Sequence, residues 1–254
     1  SADGINIADF SMEEAKKVKE RLDAQGVKVS ALGSPIGKIG VTDEFESHFE
    51  KYKHVVELAK VFETPYIRMF SFYLPEGGRK EDYREIVFER IEQMVDYAAK
   101  NDIVLLHENE KGIYGDQAPR CLELMKRFYG EHFQCTFDFA NFVQCDQDTM
   151  EAYELLKPYI KYLHIKDALW ESKEVVPAGE GDGHVAKILG LLDKNGYEGF
   201  LSLEPHLFQF KGLEKLEKNA KSHVGMNSIT VQSKGAAAYQ YVFKKFEKIL
   251  SLIS

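Results

Sequence analysis

Apolar positions recur along the chain in two rhythms that take turns. Stretches with apolar residues three and four apart mark amphipathic helices, and the short continuous apolar runs between them mark strands buried on both faces. The runs are VKVSAL from Val27, YIRMFSF from Tyr66, IVLLHE from Ile103, FQCTFDF from Phe133, IKYLHIK from Ile160 and GFLSLE from Gly199. Helix ends are also legible. Ser11 to Glu14 and Asp43 to Glu46 have capping-box spacing, and Gly26, Gly130 and Gly196 fall where C-terminal caps are expected. Phe45, Phe49, Tyr52, Val56, Ala59 and Phe62 form one stripe, and a last helix over 236–253 places Tyr239, Val242, Phe243, Phe246, Ile249 and Leu250 on one face.

Helix alternating with strand predicts parallel βα units, and 254 residues suit one α/β domain over 1–254 of (β/α)8 TIM-barrel type. Eight strands close such a barrel, whereas the runs number six. The residues before Ser11 read as the loop after a strand, so the expectation is a barrel lacking its first strand, helix and second strand. Composition, 44% hydrophobic and 29% charged, is that of a globular domain rather than a disordered chain. Lys and Arg number 33 against 41 Asp and Glu, and the net charge of −8 disfavours nucleic acid and anionic membrane as partners. No apolar run is long enough to span a bilayer and no leader is evident, so a cytoplasmic location is expected. Three cysteines without CxxC spacing argue against a disulfide framework or a structural zinc.

The candidate chemistry sits where the strands end. Glu108, Asp138, His164 and Glu204 close four successive apolar runs, thirty, twenty-six and forty residues apart, each step about one βα unit. Parallel barrel strands bring their C-terminal ends to one mouth, so three carboxylates and an imidazole should converge. Like charges that close need a compensating cation, and a divalent ion suits a mixed oxygen and nitrogen shell. One ion is therefore expected, Mn²⁺ first, with Mg²⁺, Co²⁺ and Zn²⁺ as alternatives. The bland reading of any single strand-end acid is a surface or core residue; four in phase argue against it.

The order and spacing of GluAsn (108–109), AspPheAlaAsn (138–141), HisIleLysAsp (164–167), ProAlaGlyGluGly (177–181) and the stretch from Gly196 to Pro205 give the chain a specific likeness. It resembles the xylose isomerase-like sugar phosphate isomerase/epimerase superfamily, which includes ketose 3-epimerases, inosose dehydratases and endonuclease IV. The resemblance implies metal binding by Glu108, Asp138, His164 and Glu204, and a keto sugar or sugar phosphate as partner. It also implies that Glu108 and Glu204 remove and return a proton on opposite sides of one carbon, with the metal acting as Lewis acid on the adjacent carbonyl. Two positions depart from the ketose 3-epimerases. Asn141 stands where they carry a substrate-binding histidine, and Leu169 and Trp170 occupy the region of an arginine. Dehydration of a keto cyclitol shares the same first step and is the alternative. An endonuclease would need three metals and a basic groove, at odds with 8 His and a charge of −8. A barrel that binds a sugar without turnover is the remaining reading.

Substrate contacts are expected from Asn141, Lys166, Asp167, Arg68, Glu110 and His206. Lys166 shares the face of His164 and either holds a substrate oxygen or neutralises the carboxylates. Arg68, inside a strand, needs a substrate or an ion-pair partner. His107 and His206 neighbour ligands, and the reading favoured for each is a hydrogen-bonded histidine beside the site or in the core. Lys111 and Tyr114 lie in a loop suited to substrate contact. PAGEGDG (177–183) has the glycines of an anion-binding turn, against which Glu180 and Asp182 weigh. Leu207 to Gln232 is long enough for a lid. A homo-oligomer is left open.

Overall fold

Each of the six apolar runs contributes a strand that lies parallel to a neighbour: β1 (Leu32–Gly33), β2 (Tyr66–Met69), β3 (Val104–Glu108), β4 (Phe133–Asp138), β5 (Ile160–Ile165) and β8 (Phe200–Leu203). A short antiparallel pair, β6 (Asp167–Ala168) with β7 (Val175–Val176), follows β5. The computed structural model describes residues 5–204 and 235–253. They fall into two units, one within Ser1–Glu108, Gly112–Gly115 and Arg120–Thr136, the other within Asn109–Lys111, Asp116–Pro119 and Phe137–Ser254.

In the first unit β1 to β4 pair in sequence order, with Leu32 opposite Ile67, Ile67 opposite Leu105 and Leu105 opposite Phe133. All four side chains are buried. Partners in register share a sheet face and alternate along a strand, so Arg68, opposite Leu106, lies on the same face as Glu108. Helices α1 (Met12–Asp23), α2 (Glu46–Val61), α3 (Arg84–Ala99) and most of α4 (Ala118–Phe128) follow their strands or lead into them. The stripe on α2 is core: Tyr52, Val56, Ala59 and Phe62 are buried, as are Val55 and Leu58, while Phe45 and Phe49 are half-buried.

Several local readings need correcting. β1 is two residues long rather than six, because the ladder with β2 starts only at Leu32; before it, the Thr64 hydroxyl bonds the Ser30 carbonyl at 2.9 Å. Ser11 and Glu14 form the expected capping box. Asp43 and Glu46 do not: Asp43 accepts from the Gly40 N–H at 2.7 Å, and Glu44 caps α2 by accepting from the Glu46 and Ser47 amides. Gly26 and Gly196 take the left-handed φ expected after a helix, whereas Gly130 does not and instead bridges to Phe133.

In the second unit β5 and β8 pair with His164 opposite Ser202 and Ile165 opposite Leu203, and the Glu204 N–H continues the ladder to the Ile165 carbonyl at 3.2 Å. Around them lie α5 (Phe139–Gln144), α6 (Thr149–Leu156), α7 (Val185–Lys194) and α8 (Gly235–Ile253). Phe137 packs edge-on against Phe139, 5.1 Å between ring centres, and against Phe142 at 4.9 Å. On α8 the buried stripe is Val242, Phe246 and Ile249, whereas Tyr239 and Phe243, expected on the same face, are 48% and 44% exposed. Among the described residues no helix is long and apolar enough to cross a membrane. The segment read as a lid, Leu207 to Gln232, and His206 lie outside the described residues.

Candidate metal centre

Asp138 ends β4 and caps α5, accepting the Asn141 N–H on Oδ1 at 2.9 Å. Its second oxygen, Oδ2, lies 3.0 Å from Lys166 Nζ and 3.8 Å from His164 Nδ1. His164 stands one residue before the end of β5, and its Nδ1 is also 3.4 Å from Glu204 Oε1. Glu204 follows β8 directly, and its Oε2 is 3.6 Å from Lys166 Nζ. Lys166 shares the face of His164 because side chains alternate along the strand. The Asp138 side chain is fully buried, those of His164 and Lys166 are nearly so, and that of Glu204 is 20% exposed.

Asp138, His164 and Glu204 each offer one ligand atom, and these lie within 4.8 Å of one another. Metal–ligand bonds of about 2.1 Å set neighbouring ligand atoms roughly 3.0–3.5 Å apart. The contacts of 3.4 and 3.8 Å to His164 Nδ1 sit at or just above that spacing, so this is a group of donors that could hold a small divalent ion. Two carboxylates face a single ammonium, which leaves net negative charge for a cation to offset.

Glu108 is the last residue of β3, in the first unit. Its Oε2 accepts from Arg68 Nη1 at 3.0 Å, Arg68 Nη2 also reaches the Ser34 carbonyl at 3.3 Å, and the guanidinium lies over the Phe70 ring. Of the two roles expected of Arg68, the ion pair is the one observed. The next residue, Asn109, belongs to the second unit and pairs with Asp138 as a strand would: its carboxamide donates to the Asp138 carbonyl and accepts the Asp138 N–H, both at 3.0 Å. Asn141 Nδ2 donates to the Asn109 carbonyl at 2.8 Å. The role of Asn109 was not foreseen, although an Asn directly after a strand-end ligand was its visible signal.

Of the remaining candidates, His107, Tyr114 and Asp167 are engaged by groups of the chain itself. His107 is wholly buried, with Nε2 3.0 Å from Ser71 Oγ, and burial pulls its pKa down to about 4. Tyr114 is buried and bonds Glu123, and burial raises its pKa. Lys111 is exposed and Glu110 half-buried. Trp170 is 39% exposed with Lys173 Nζ 4.5 Å from its ring centre. Asp167, expected to touch substrate, turns to the glycine-rich turn instead. Its Oδ1 accepts the N–H groups of Gly183 (2.8 Å) and Ala168 (2.9 Å), and its Oδ2 those of Gly179 (3.0 Å) and Gly181 (3.1 Å). Burial pushes its carboxyl pKa up, against the downward pull of the same four bonds.

Residues 2–225 match the family model described as Xylose isomerase-like TIM barrel. The chain is 24% identical over 228 residues to a 3-dehydroshikimate dehydratase of Bacillus anthracis, covering 86% of this chain and 80% of that one. Among solved structures it resembles the 3-keto-D-glucoside 4-epimerase YcjR of E. coli (TM-score 0.68, 14% identity, 97% of this chain and 87% of the other). It also resembles a xylose isomerase-like TIM barrel protein of Mycobacterium smegmatis in complex with magnesium (TM-score 0.62, 17% identity, 85% and 79%). At these identities the structural likenesses speak for the fold.

Proposed function

The chain belongs to the xylose isomerase-like TIM barrel family, and from that premise we propose that it is a divalent-metal-dependent enzyme acting on a polyhydroxylated carbonyl compound, a keto sugar or sugar phosphate foremost. It moves a proton at the carbon beside the carbonyl, giving an isomer or epimer. The observation that carries this reading is the convergence of Asp138, His164 and Glu204, with Lys166 Nζ against both carboxylates. Glu108 is the fourth ligand in this reading. It shares their strand-end phase, and it is one peptide bond from Asn109, whose carboxamide grips the Asp138 backbone. The ion is Mn²⁺ first, with Mg²⁺, Co²⁺ and Zn²⁺ as alternatives; magnesium accompanies the Mycobacterium relative.

When bound, the metal polarises the carbonyl and so makes the neighbouring C–H acidic enough for a carboxylate base. Glu204, the most exposed of the acids at 20%, takes that proton. Glu108, once it has taken up a proton from solvent, delivers it from the opposite side, with Arg68 orienting its carboxyl group. Lys166 holds a substrate oxygen, its three N–H donors shared between that oxygen and the carboxylates it already touches. Asn141 and Glu110 flank the substrate in the same reading.

A second reading, dehydration, draws on the 3-dehydroshikimate dehydratase relative. Its first step is the same, and it differs in that a β-hydroxyl leaves as water. Incubation with Mn²⁺ and, separately, ketoses, ketose phosphates, inososes and 3-dehydroshikimate, followed by NMR of the products, tests both. An epimer or isomer supports the first reading and a product short of one water the second; recovery of every compound unchanged, with the metal bound, sinks both.

A further inference from the structure

The turn over 177–183 looks in sequence like a cradle for a ligand anion, and in the structure it is already filled by an anion of the chain itself. The carboxylate of Asp167 accepts the N–H groups of three alternate glycines, Gly179, Gly181 and Gly183, and that of Ala168. The glycines are sized to it. A Cβ at Gly181 would lie 2.6 Å from Asp167 Oδ1 and 2.5 Å from the Ala168 carbonyl oxygen, and one at Gly183 would lie 2.6 Å from the same Oδ1. Contacts that short require a backbone without side chains. The turn is held on its other sides as well: Lys245 of α8 pairs with Glu180 at 2.6 Å, the Trp170 N–H bonds Asp182 at 2.6 Å, and Thr149 Oγ1 donates to the Gly183 carbonyl at 2.9 Å.

Asp167 directly follows Lys166, and strand alternation sends their side chains to opposite sides of the chain. One side chain is therefore clamped into a turn fixed at several points, while the other lies 3.0 Å from Asp138 and 3.6 Å from Glu204. We propose that Asp167 is a positioning residue: as the internal anion of the 177–183 turn it fixes the backbone after β5 and so holds the Lys166 ammonium against the Asp138 and Glu204 carboxylates. The catalytic meaning of that placement rests on the function proposed above, whereas the placement itself can be tested without any substrate.

The test is the rate at which N-hydroxysuccinimide acetate modifies Lys166 in the whole chain, read by peptide mass spectrometry, in wild type, Asp167→Ala and Asp167→Asn. In the wild type Lys166 is buried and reacts slowly. Asp167→Ala empties the cradle and leaves four N–H groups facing a space that two oxygens of formate can fill. Lys166 labelling should rise about tenfold or more through local opening, and added formate should return it toward the wild-type rate while chloride does not. Asp167→Asn, which sets an NH₂ group against two of the N–H donors, should raise labelling without responding to formate. Lys161 and Lys173 report general loosening and should stay unchanged. Wild-type labelling of Lys166 in a folded Asp167→Ala chain, or a rise that formate leaves untouched, overturns the proposal. Should Asp167→Ala fail to fold, an unchanged rate in Asp167→Asn overturns it equally. If no substrate is ever turned over, the function reading fails while these labelling rates still decide the placement.

Discussion

The ends of β3 and β5 each carry a histidine near an acid, and the two pairs have opposite fates. At β3, in the first unit, His107 points into the core, kept neutral by burial, with its Nε2 against the Ser71 hydroxyl. Beside it, on the other face, Glu108 meets Arg68. At β5, in the second unit, His164 points toward Asp138 and Glu204, and the following acid, Asp167, is buried in backbone N–H groups. Residue type is the same in both places; the strand face decides. A histidine aimed at apolar side chains loses its charge, whereas one aimed at carboxylates is available to a cation.

The contrast can be broken from either side. The largest effect is expected at the acidic end. Glu204→Gln should lower proton exchange on a turned-over substrate by roughly 10²–10⁴-fold, the usual worth of a positioned general base, with the folded fraction unchanged by circular dichroism. A variant exchanging at the wild-type rate would remove Glu204 from the chemistry.

Next comes the ion pair at the end of β3. Arg68→Met leaves Glu108, 1% exposed, without its guanidinium, and should cost about 3–5 kcal/mol in urea unfolding of the metal-free protein. Adding Glu108→Gln to that variant should restore much of the loss, because the buried charge goes with it. If the single variant is as stable as wild type, Glu108 is not held by Arg68.

The buried histidines give the third. His107 and His48, whose Nε2 accepts the Gly37 N–H at 2.8 Å, both have pKa values pulled down to about 4 from an ordinary 6.5, chiefly by burial. A depressed folded pKa means that the unfolded chain binds the proton first as pH falls. Their contribution is therefore complete above pH 6.5 and is lost on acidification toward pH 4, by about 3 kcal/mol each at most. The stability of His107→Gln should fall less steeply than that of wild type across this window; equal slopes would show that the fold leaves the His107 pKa at its ordinary value.

The smallest effect probes the packing that keeps His107 in place. A Cβ on Gly115 would stand 2.6 Å from His107 Cε1, so Gly115→Ala should cost roughly 1–3 kcal/mol through overpacking. A cost near zero would mean that the His107 ring can move.

Most of the strand pattern was legible because buried parallel strands are written as continuous apolar runs, and that signal depends on nothing distant. β1 was misjudged for the opposite reason: VKVSAL has strand-like residues, but a strand also needs a ladder, and only Leu32 and Gly33 have one. The convergence of Asp138, His164 and Glu204 could be anticipated from strand phase alone. Asp167 could not, because at a strand end one residue of slip exchanges the two sides, and the turn that claims its carboxylate lies twelve to sixteen residues away. Asp43 and Glu44 show the same limit at a helix start, where neighbouring acids compete for the cap and the winner depends on the preceding turn.

The central claim is that a divalent ion held at Asp138, His164 and Glu204, with Glu108, supports proton removal beside a carbonyl. Its most direct test is solvent deuterium incorporation, measured with one equivalent of Mn²⁺ on ketoses, ketose phosphates, inososes and 3-dehydroshikimate, with wild type beside His164→Ala. The account predicts deuterium at the carbon next to the carbonyl of at least one compound, dependent on Mn²⁺ and absent in the variant; stoichiometric Mn²⁺ binding without exchange on any of them, or exchange that His164→Ala and chelation leave intact, would contradict it.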